Sequence, residues 1–440
     1  MATGIKVDIS IEVTPGSASC VLPGRPLPLA SNGSRMKPPR YRLCAAALML
    51  ALPLAAAPAV AAEPAPGPDS TARLAPLRQT SGQPVPGHYI VTLRKGSSPR
   101  TLTSRLGVVP DFVYTHALTG FAATLTPEQL EAVRGASDVE AVEEDAVYSQ
   151  ADEDDAPATR TRAPTQSWGL DRVDQHRLPL DGQFSEAATG EGGTAYIVDT
   201  GIDYGHPEFG GRARNGTDLV TSGGDGKDCP SGSGHGTHVA GVVGGATYGV
   251  ARKATLVSVR VLDCTGRTTA ARVAAAFEYV AANAPAASVV NASLSGPPSR
   301  AIDTAVGNVA AKGVLPVVAA GNNNDSACDH SPSGALAALA VGATNQRDQM
   351  TDFSNSGPCA RILAPGEDIV SAAPGGGTAT KSGTSQASPY VTGVATLYKA
   401  RTPSATSDAV IKWLVEQSTK DVVTDLKAGT PNRLLFTGGL

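Results

Sequence analysis

The 440-residue sequence predicts an α/β protein with a mostly parallel sheet, preceded by a small α+β domain. From Trp168 onward, continuously apolar strands such as Ala195–Asp199 alternate with helices such as Ala271–Ala284. Strands without polar alternation, separated by helices, are typical of a parallel sheet that is covered on both faces. Residues 87–148 have a different pattern, in which short strands flank a helix that opens with a capping threonine.

The predicted elements follow one another in a simple order. In the first domain, strands are expected at His88–Leu93 and Val139–Val147, and a helix opens at Thr126–Val133. In the second domain, we expect strands at Ala195–Asp199, Ala254–Leu262, Ser288–Leu294 and Val314–Ala320, and helices that begin at His238 or span Ala271–Ala284 and Ala301–Lys312. In sheets of this kind, active sites form at the carboxyl ends of the strands.

The first 86 residues are predicted to be a leader and a linker. A basic start, an apolar centre at Cys44–Ala57 and small residues after it are typical of a secretory signal at 36–62. A transmembrane helix is the alternative, but two prolines interrupt the apolar stretch. Residues 1–35 form an upstream extension, which we attribute to a mistaken start site, with Met36 as the expected true start. A cytosolic extension is the alternative. Pro, Ala and Gly make residues 63–86 a linker.

Charge and cysteine content narrow the class of protein. The net charge is −4 and no stripe of Lys and Arg occurs, so nucleic acid is not an expected partner. Cys20 and Cys44 precede the expected signal cleavage point, which leaves four of the six cysteines. In a secreted chain these four should form disulfides, in any of three connectivities, and the absence of a CxxC pair argues against zinc. The acidic segment 149–163 is an exposed linker open to proteolysis.

Three short segments carry the groups that acyl transfer requires. Asp199 ends a buried strand, His235 lies in a Gly-rich loop that enters a helix, and Ser385 lies where another loop enters a helix. This chemistry needs a hydroxyl nucleophile, an imidazole base and a carboxylate that orients the imidazole. Each residue taken singly could be a turn residue or a helix cap. Together they stand in one of the established chain orders of the triad, Asp–His–Ser.

The surroundings of the serine suit an oxyanion site. At a helix N-terminus, the backbone N–H of Ser385 would point toward a developing oxyanion. Asn322 follows a buried strand and offers a side-chain amide as a second donor, although a turn residue is the alternative. Pro389 is expected in the first turn of the helix, where proline is tolerated.

These segments resemble the subtilase family, and most closely its proteinase K and aqualysin branch. The resemblance covers Trp168–Leu440, in stretches that read VDTGID, HPEFGGR, GHGTHVAG, TYGVARKATLVSVRVLDC, AAGNNN and SGTSQASP. It implies a subtilisin-like three-layer fold over residues 164–440, with the triad and Asn322 in the roles given above. Residues 87–148 resemble the inhibitory prodomain of the family in PGHYIVTL, LTGFAATL and VEAVEED.

The resemblance also implies where a peptide would bind. The peptide would add a strand between two walls, whose residues are Ser293, Leu294, Ser295 and Gly296 on one side and Ala319, Ala320 and Gly321 on the other. Ordinary core strand is the alternative for these segments. By the same resemblance, His238 is structural and is not the base.

Metal and disulfide assignments come from the resemblance as well. A calcium site would use Asp171, Asp174, Gln175 and Asp181, with a solvated N-terminal segment as the alternative. A further calcium site of the family is not expected, because Arg361 stands where an aspartate is needed. The disulfides would be Cys229–Cys264 and Cys328–Cys359.

The sequence departs from the family pattern at three positions near the site. Gln386 replaces the usual Met after the nucleophile, Tyr390 replaces the usual His, and Ser295 replaces a usual Gly of the binding wall. None of these changes removes a group of the triad.

We therefore expect a secreted, monomeric serine endopeptidase, made as a self-processed zymogen, that hydrolyses polypeptides through an acyl-enzyme. Its partners would be polypeptide substrates and its own prodomain, with no nucleic acid and no membrane after removal of the signal. Catalysis would need no cofactor, and calcium would be structural. An inactive subtilase that serves as a scaffold is the main alternative. A serine esterase is disfavoured, because Gly383–Ala387 does not read GxSxG.

Overall fold

Two domains are described by the computed structural model of the chain, an N-terminal domain (residues 74–151) and a C-terminal domain (residues 167–440). Residues 1–73, 152–166, 186 and 286 lie outside the described part, and with them the predicted signal and most of the acidic linker. Both domains belong to one compact unit, Ser70–Leu440. None of the helices in the described ranges is long and apolar enough to cross a membrane.

The N-terminal domain is a twisted sheet with two helices on one face. Its elements are β1 (Leu77–Arg78), β2 (Pro84–Leu93), α1 (Pro99–Leu106), β3 (Phe112–Tyr114), β4 (Gly120–Thr124), α2 (Pro127–Gly135) and β5 (Val139–Gln150). The strand order is β1-β5-β2-β4-β3. Thr126 starts α2 with a reciprocal capping box to Gln129, which satisfies two backbone N–H groups that would otherwise lack partners. One face of the sheet packs on α1 and α2 through residues such as Val91, Phe121 and Val142.

Two predicted domain boundaries are wrong. The second half of the linker 63–86 is structured, because β1 pairs with β5 and Pro84 at the start of β2 pairs with Ala146. The prolines that suggested a linker are tolerated at the start of a strand, where no N–H is needed. The N-terminal domain also continues past residue 148, since β5 runs to Gln150 into the predicted linker 149–163.

The C-terminal domain has the three layers expected of a subtilisin-like fold. Its helices are α3 (Trp168–Val173), α4 (His235–Gly244), α5 (Ala270–Asn283), α6 (Arg300–Ala311), α7 (Thr384–Arg401) and α8 (Ser407–Gln417). Its strands are β6 (Thr194–Asp199), β7 (Ala213–Asp218), β8 (Thr255–Arg260), β9 (Arg267–Thr269), β10 (Ser288–Ala292), β11 (Leu294–Ser295), β12 (Leu315–Ala319), β13 (Leu339–Thr344), β14 (Ala360–Pro365), β15 (Ile369–Ala373), β16 (Gly377–Lys381), β17 (Thr419–Lys420) and β18 (Arg433–Leu434).

Within the described residues, nine of these strands form one sheet in the order β17-β18-β14-β13-β12-β10-β6-β8-β7. All neighbours are parallel except the β17–β18 pair at the edge. Alternate strand residues face opposite layers, so Val290 and Val318 pack with α5 and α6, whereas Val289 and Val317 pack with α7 and α8. The fully apolar strands thus reflect burial on both faces.

Two local predictions in the C-terminal domain need correction. The helix expected from His238 begins at His235, so the histidine of the predicted triad is its first residue. Pro389 lies in the second turn of α7 and not in the first. A proline there cannot donate to the carbonyl four residues earlier, that of Ser385. The Ser293 hydroxyl donates to this carbonyl instead, at 2.9 Å.

Candidate active site

The carboxylate and imidazole of the predicted triad form a buried pair. Asp199 is the last residue of β6, and His235 is the first of α4. His235 Nδ1 lies 2.6 Å from Asp199 Oδ1, and both side chains are fully buried. The same carboxylate oxygen accepts the N–H of Thr200 at 2.7 Å. This carboxylate can therefore fix the orientation of the imidazole, as the chemistry requires.

A second buried carboxylate, which sequence reasoning missed, links the segments that carry Asp199 and His235. Asp228 Oδ1 accepts the Thr200 hydroxyl at 2.8 Å, next to Asp199. Its Oδ2 accepts the backbone N–H of Thr237 at 2.9 Å and the Thr237 hydroxyl at 2.6 Å, two residues after His235. Burial raises the pKa of Asp228, although these hydrogen bonds offset part of the effect. Its position seven residues before the histidine carried no motif that would have identified it.

The serine of the predicted triad lies at the start of a helix and faces the end of the N-terminal domain. Ser385 is the second residue of α7 and is fully buried, and its hydroxyl donates to the Ser293 carbonyl at 3.1 Å. Its backbone N–H donates to the carbonyl oxygen of Ala151 at 3.3 Å. Asn322 Nδ2 donates to the same oxygen at 2.6 Å. One carbonyl therefore lies between the two donors that the sequence assigned to an oxyanion.

Two neighbours hold these donors in place. The Asn322 Oδ1 accepts the N–H of Thr384 at 2.9 Å and its hydroxyl at 2.7 Å, so the amide nitrogen is turned toward Ala151. Gly383 has a φ of 151°, and a Cβ there would lie 2.6 Å from the Ala151 carbonyl oxygen. Only glycine leaves room for a carbonyl to approach the start of α7 this closely.

The last residues of the N-terminal domain lie in the cleft as a strand. β5 pairs antiparallel with β11 on one side, where Ser295 lies opposite Ser149, and with β9 on the other side, where Thr268 lies opposite Tyr148. At its end, the N–H of Ala151 donates to the Ser293 carbonyl at 3.3 Å. The cleft therefore binds extended chain by strand addition.

The predicted walls are partly those that touch this strand. Residues 293–296 line it directly through β11 and its flanks. Ala319 ends β12, and residues 320 and 321 lead from it to Asn322. In the described part of the chain, the backbone of these two residues bonds within the C-terminal domain, as Gly321 N–H does to Thr384 Oγ1 at 3.0 Å. The opposite wall is β9, which sequence reasoning missed because three polar residues show no periodicity.

Tyr148 fills a pocket in the wall. The side chain is 1% exposed, and its hydroxyl donates to the carbonyl of Pro297. A Cβ at Gly296 would lie 2.4 Å from the tyrosine ring. The pocket thus exists because residue 296 is glycine, and it accepts a large aromatic side chain three residues before Ala151.

Two acidic residues of β5 bind the N-termini of helices in the C-terminal domain. Asp145 Oδ1 accepts the N–H of Ala271 in the first turn of α5 at 2.9 Å. Glu143 Oε2 accepts the hydroxyl of Ser299, the residue that caps α6, at 3.0 Å. Carboxylates at helix N-termini are stabilised by the partial positive charge of the helix dipole. His88 supports this arrangement with its Nδ1 2.9 Å from Asp145 Oδ2.

The predicted calcium ligands lie in α3, which contains Asp171, and in the segment that follows it. Asp171 accepts the N–H of Gly182 at 2.8 Å and that of Asp181 at 3.3 Å, and Gln175 Oε1 accepts the latter N–H at 3.2 Å. Burial raises the pKa of Asp171 and of Asp174, and the charge of Asp181 adds to both shifts. Among the described residues, no three His, Cys, Asp or Glu side chains are arranged to hold a metal ion.

The four cysteines that follow the expected signal form the two disulfides that the resemblance implied. Cys229 is joined to Cys264, and Cys328 to Cys359. The first of these bonds ties the loop before α4 to the loop before β9.

A buried Asp–His pair, a serine at a helix start and two N–H donors around one carbonyl oxygen are the parts of a serine protease. Comparison with known families agrees. The profile of the Subtilase family matches residues 190–436, and that of Peptidase inhibitor I9 matches residues 111–151. The chain belongs to the subtilase family. It is a subtilisin-like serine protease that carries an inhibitor domain of the I9 type at its N-terminal side.

Individual proteins show the same relationship. The chain is 44% identical over 325 residues to the Alkaline serine exoprotease A of Vibrio alginolyticus, a match that covers 74% of this chain but only 60% of that protein. It is 45% identical over 333 residues to the Extracellular serine proteinase of Thermus sp. (strain Rt41A), covering 75% of this chain and 78% of that protein. A solved structure of a cold adapted subtilisin-like serine proteinase superposes with a TM-score of 0.60 and 43% identity, over 62% of this chain and 99% of that chain. The predicted family and fold are confirmed.

Proposed function

We propose that the chain is a secreted serine endopeptidase that first cleaves itself after Ala151 and then hydrolyses other polypeptides. The observation that carries this proposal is the Ala151 carbonyl, which accepts hydrogen bonds from both Ser385 N–H and Asn322 Nδ2. A scissile carbonyl at this place has its oxygen where negative charge would develop. The end of the I9 match at residue 151 supports the same cleavage point.

The residues around this carbonyl have clear roles in the proposed reaction. Ser385 Oγ attacks the carbonyl carbon while His235 takes the hydroxyl proton, and Asp199 holds the imidazole and stabilises its cation. The oxyanion is bound by the two donors named above. The C–N bond to residue 152 then breaks, His235 returns the proton to the leaving amine, and an acyl-enzyme remains. Water, activated by the same histidine, hydrolyses this ester.

The N-terminal domain would act as an inhibitor after cleavage. It is held by strand pairing to β9 and β11 and by the carboxylates of Glu143 and Asp145 at two helix N-termini. Cutting the chain after residue 151 removes none of these contacts. Further proteolysis of the domain would therefore be needed before substrates reach the cleft. Substrates would be extended polypeptides, added as a strand in the place of β5.

Secretion and calcium belong to this proposal as well. One relative is named an extracellular proteinase, and the sequence of residues 36–62 is typical of a secretory signal. A calcium ion would draw together oxygen atoms of Asp171, Asp174, Gln175 and Asp181, which in the described residues are not yet arranged to hold a metal ion. Burial raises the pKa of Asp171 and of Asp174, and the nearby charge of Asp181 adds to both shifts. The ion would neutralise this charge and stabilise the loop, without taking part in catalysis.

Self-processing of the purified precursor tests the proposal. The wild-type chain should yield a fragment that ends at Ala151 by mass spectrometry, and Ser385→Ala should remain intact. In subtilisin, loss of the nucleophile costs about 10⁶ in turnover, and loss of the side-chain oxyanion donor about 10²–10³, so Asn322→Ala should process slowly. Ser382→Ala, which removes a hydroxyl from the same segment, is the matched control.

Two results would overturn the proposal. Processing of Ser385→Ala at the same bond, in the absence of any wild-type enzyme, would exclude this serine as the nucleophile. A wild-type chain that neither processes itself nor reacts with a fluorophosphonate probe would instead be the inactive scaffold.

A further inference from the structure

The side chain of Gln150 occupies a small subsite beside the proposed scissile bond. Ser233 Oγ donates to Gln150 Oε1 at 3.0 Å. On the other side, Gly266 accepts the N–H of Gln150 through its carbonyl at 2.9 Å. The Gln150 residue immediately precedes Ala151, so this subsite receives the second residue on the N-terminal side of the bond.

Glycine at position 266 gives the glutamine side chain its room. A Cβ there would lie 2.4 Å from Gln150 Oε1, 2.5 Å from its Cδ and 2.9 Å from its Cγ. The amide group of Gln150 therefore packs closely against the backbone of Gly266. Any side chain at position 266 would have to displace it.

The two sides of the subsite are joined covalently. Ser233 belongs to the loop that follows Cys229, and Gly266 to the loop that follows Cys264, and these two cysteines form a disulfide. The N–H of Ser233 also donates to the Cys264 carbonyl at 3.3 Å. Gly232 packs so closely that a Cβ would lie 2.8 Å from the same carbonyl oxygen. The serine hydroxyl is thus presented by a fixed frame.

We propose that Ser233 and Gly266 form a subsite that selects glutamine as the second residue before the scissile bond. The inference rests on the proposed peptidase function and names the substrate class: extended peptides with a long side chain that ends in an acceptor oxygen at this place. A side chain of the same length without an acceptor leaves the Ser233 hydroxyl without this partner. The loss of one such hydrogen bond changes specificity by about threefold to tenfold.

Two peptide substrates measure the selection. Acetyl-Tyr-Ser-Gln-Ala with a fluorogenic amide after the alanine copies residues 148–151, and a second peptide carries methionine in place of glutamine. Methionine has a similar length and no amide. For the mature wild-type enzyme, kcat/KM for the glutamine peptide should exceed that for the methionine peptide by about threefold to tenfold. Ser233→Ala should bring this ratio to about 1.

Variants of the same loop serve as controls. Ser233→Thr keeps the hydroxyl and should keep the ratio, and Ser231→Ala, which changes an exposed serine two residues earlier, should keep it too. A ratio that is the same in wild type and in Ser233→Ala would overturn the inference, while cleavage of both peptides would leave the proposed function intact. An enzyme that cleaves neither peptide and does not process itself would overturn both.

Discussion

Gln386, which directly follows the proposed nucleophile, has an amide group that should destabilise the enzyme. Its side chain is fully buried, and in the described part of the chain neither the oxygen nor the nitrogen of the amide has a hydrogen-bond partner. A buried polar atom without a partner costs about 1–3 kcal/mol. Gln386→Met keeps the length and flexibility of the side chain and removes both polar atoms. If the amide oxygen and the amide nitrogen each cost about 1 kcal/mol, the lower end of that range, the substitution should raise the free energy of unfolding by about 2 kcal/mol.

Thermal unfolding of the mature enzyme, blocked at its serine by a covalent inhibitor to prevent autolysis, measures this gain. For a domain near this size, each kcal/mol shifts Tm by roughly 2–4 °C, so Gln386→Met should raise Tm by about 4–8 °C. The same substitution places a thioether beside the nucleophile, where oxidation to a sulfoxide adds a polar oxygen. The variant should therefore lose activity faster than wild type in dilute peroxide.

Gln386→Leu separates the two effects. Leucine also removes the unpaired amide, but it carries no sulfur, so this variant should resist peroxide as wild type does. Met350, which is buried in a cluster with Leu363 and Leu434, is common to all three enzymes and cancels in the comparison. If Gln386→Met melted at or below the wild-type temperature, the amide would have a partner and the reasoning would be refuted. If the Met and Leu variants lost activity in peroxide at the same rate, the prediction that the thioether causes the loss would be refuted.

Three further predictions concern the inhibitor domain, a buried carboxyl group of α6 and the calcium site. Asp145→Asn should raise the Ki of the separate N-terminal domain about 5–30-fold, because a charged acceptor at the start of α5 becomes neutral; Glu140→Gln, which removes an equal but exposed charge, should leave Ki near that of wild type. Asp303 lies in α6, and burial raises the pKa of its carboxyl group to about 6. The folded state therefore binds the proton of this carboxyl group more tightly than the unfolded state does. Its contribution to the stability of the Ser385→Ala precursor should fall as pH rises from about 4 to 6, and Asp303→Asn should remove this component from a Tm-against-pH curve; identical curves would contradict it. Excess chelator should lower the Tm of the mature enzyme without abolishing hydrolysis, since an ion bound only by the folded state stabilises it; an unchanged Tm would exclude the site.

The parts of the site that the sequence predicted are those whose chemistry is carried by short, contiguous segments. Asp199, His235 and Ser385 each stand at the end of a strand or the start of a helix, and this placement follows from local pattern. Asn322 could be singled out for the same reason, and its role in binding an oxyanion stays a prediction. The layered fold was predictable too, because strands buried on both faces must be apolar throughout.

The parts that the sequence did not predict depend on contacts between distant segments. The carboxylate of Asp228 can be buried because two threonines, which are distant in sequence, donate hydrogen bonds to it. The acidic run of β5 was recognised as a strand, but Glu143 and Asp145 meet helix ends more than 100 residues away. The place of Pro389 in α7 was misjudged, since the hydroxyl of Ser293, which satisfies the freed carbonyl, comes from another element.

The pairing of β5 between β9 and β11 has a consequence for which proteins this enzyme can attack. Once the N-terminal domain leaves, two strand edges face each other across a gap one strand wide, about 10 Å from edge to edge. A helix, with a diameter of about 10–12 Å and its backbone hydrogen bonds already made, cannot fill such a gap. A strand already paired on both sides cannot fill it either. A polypeptide segment must therefore be free to become extended before its side chains affect binding. Folded proteins should survive beside damaged or unfolded proteins.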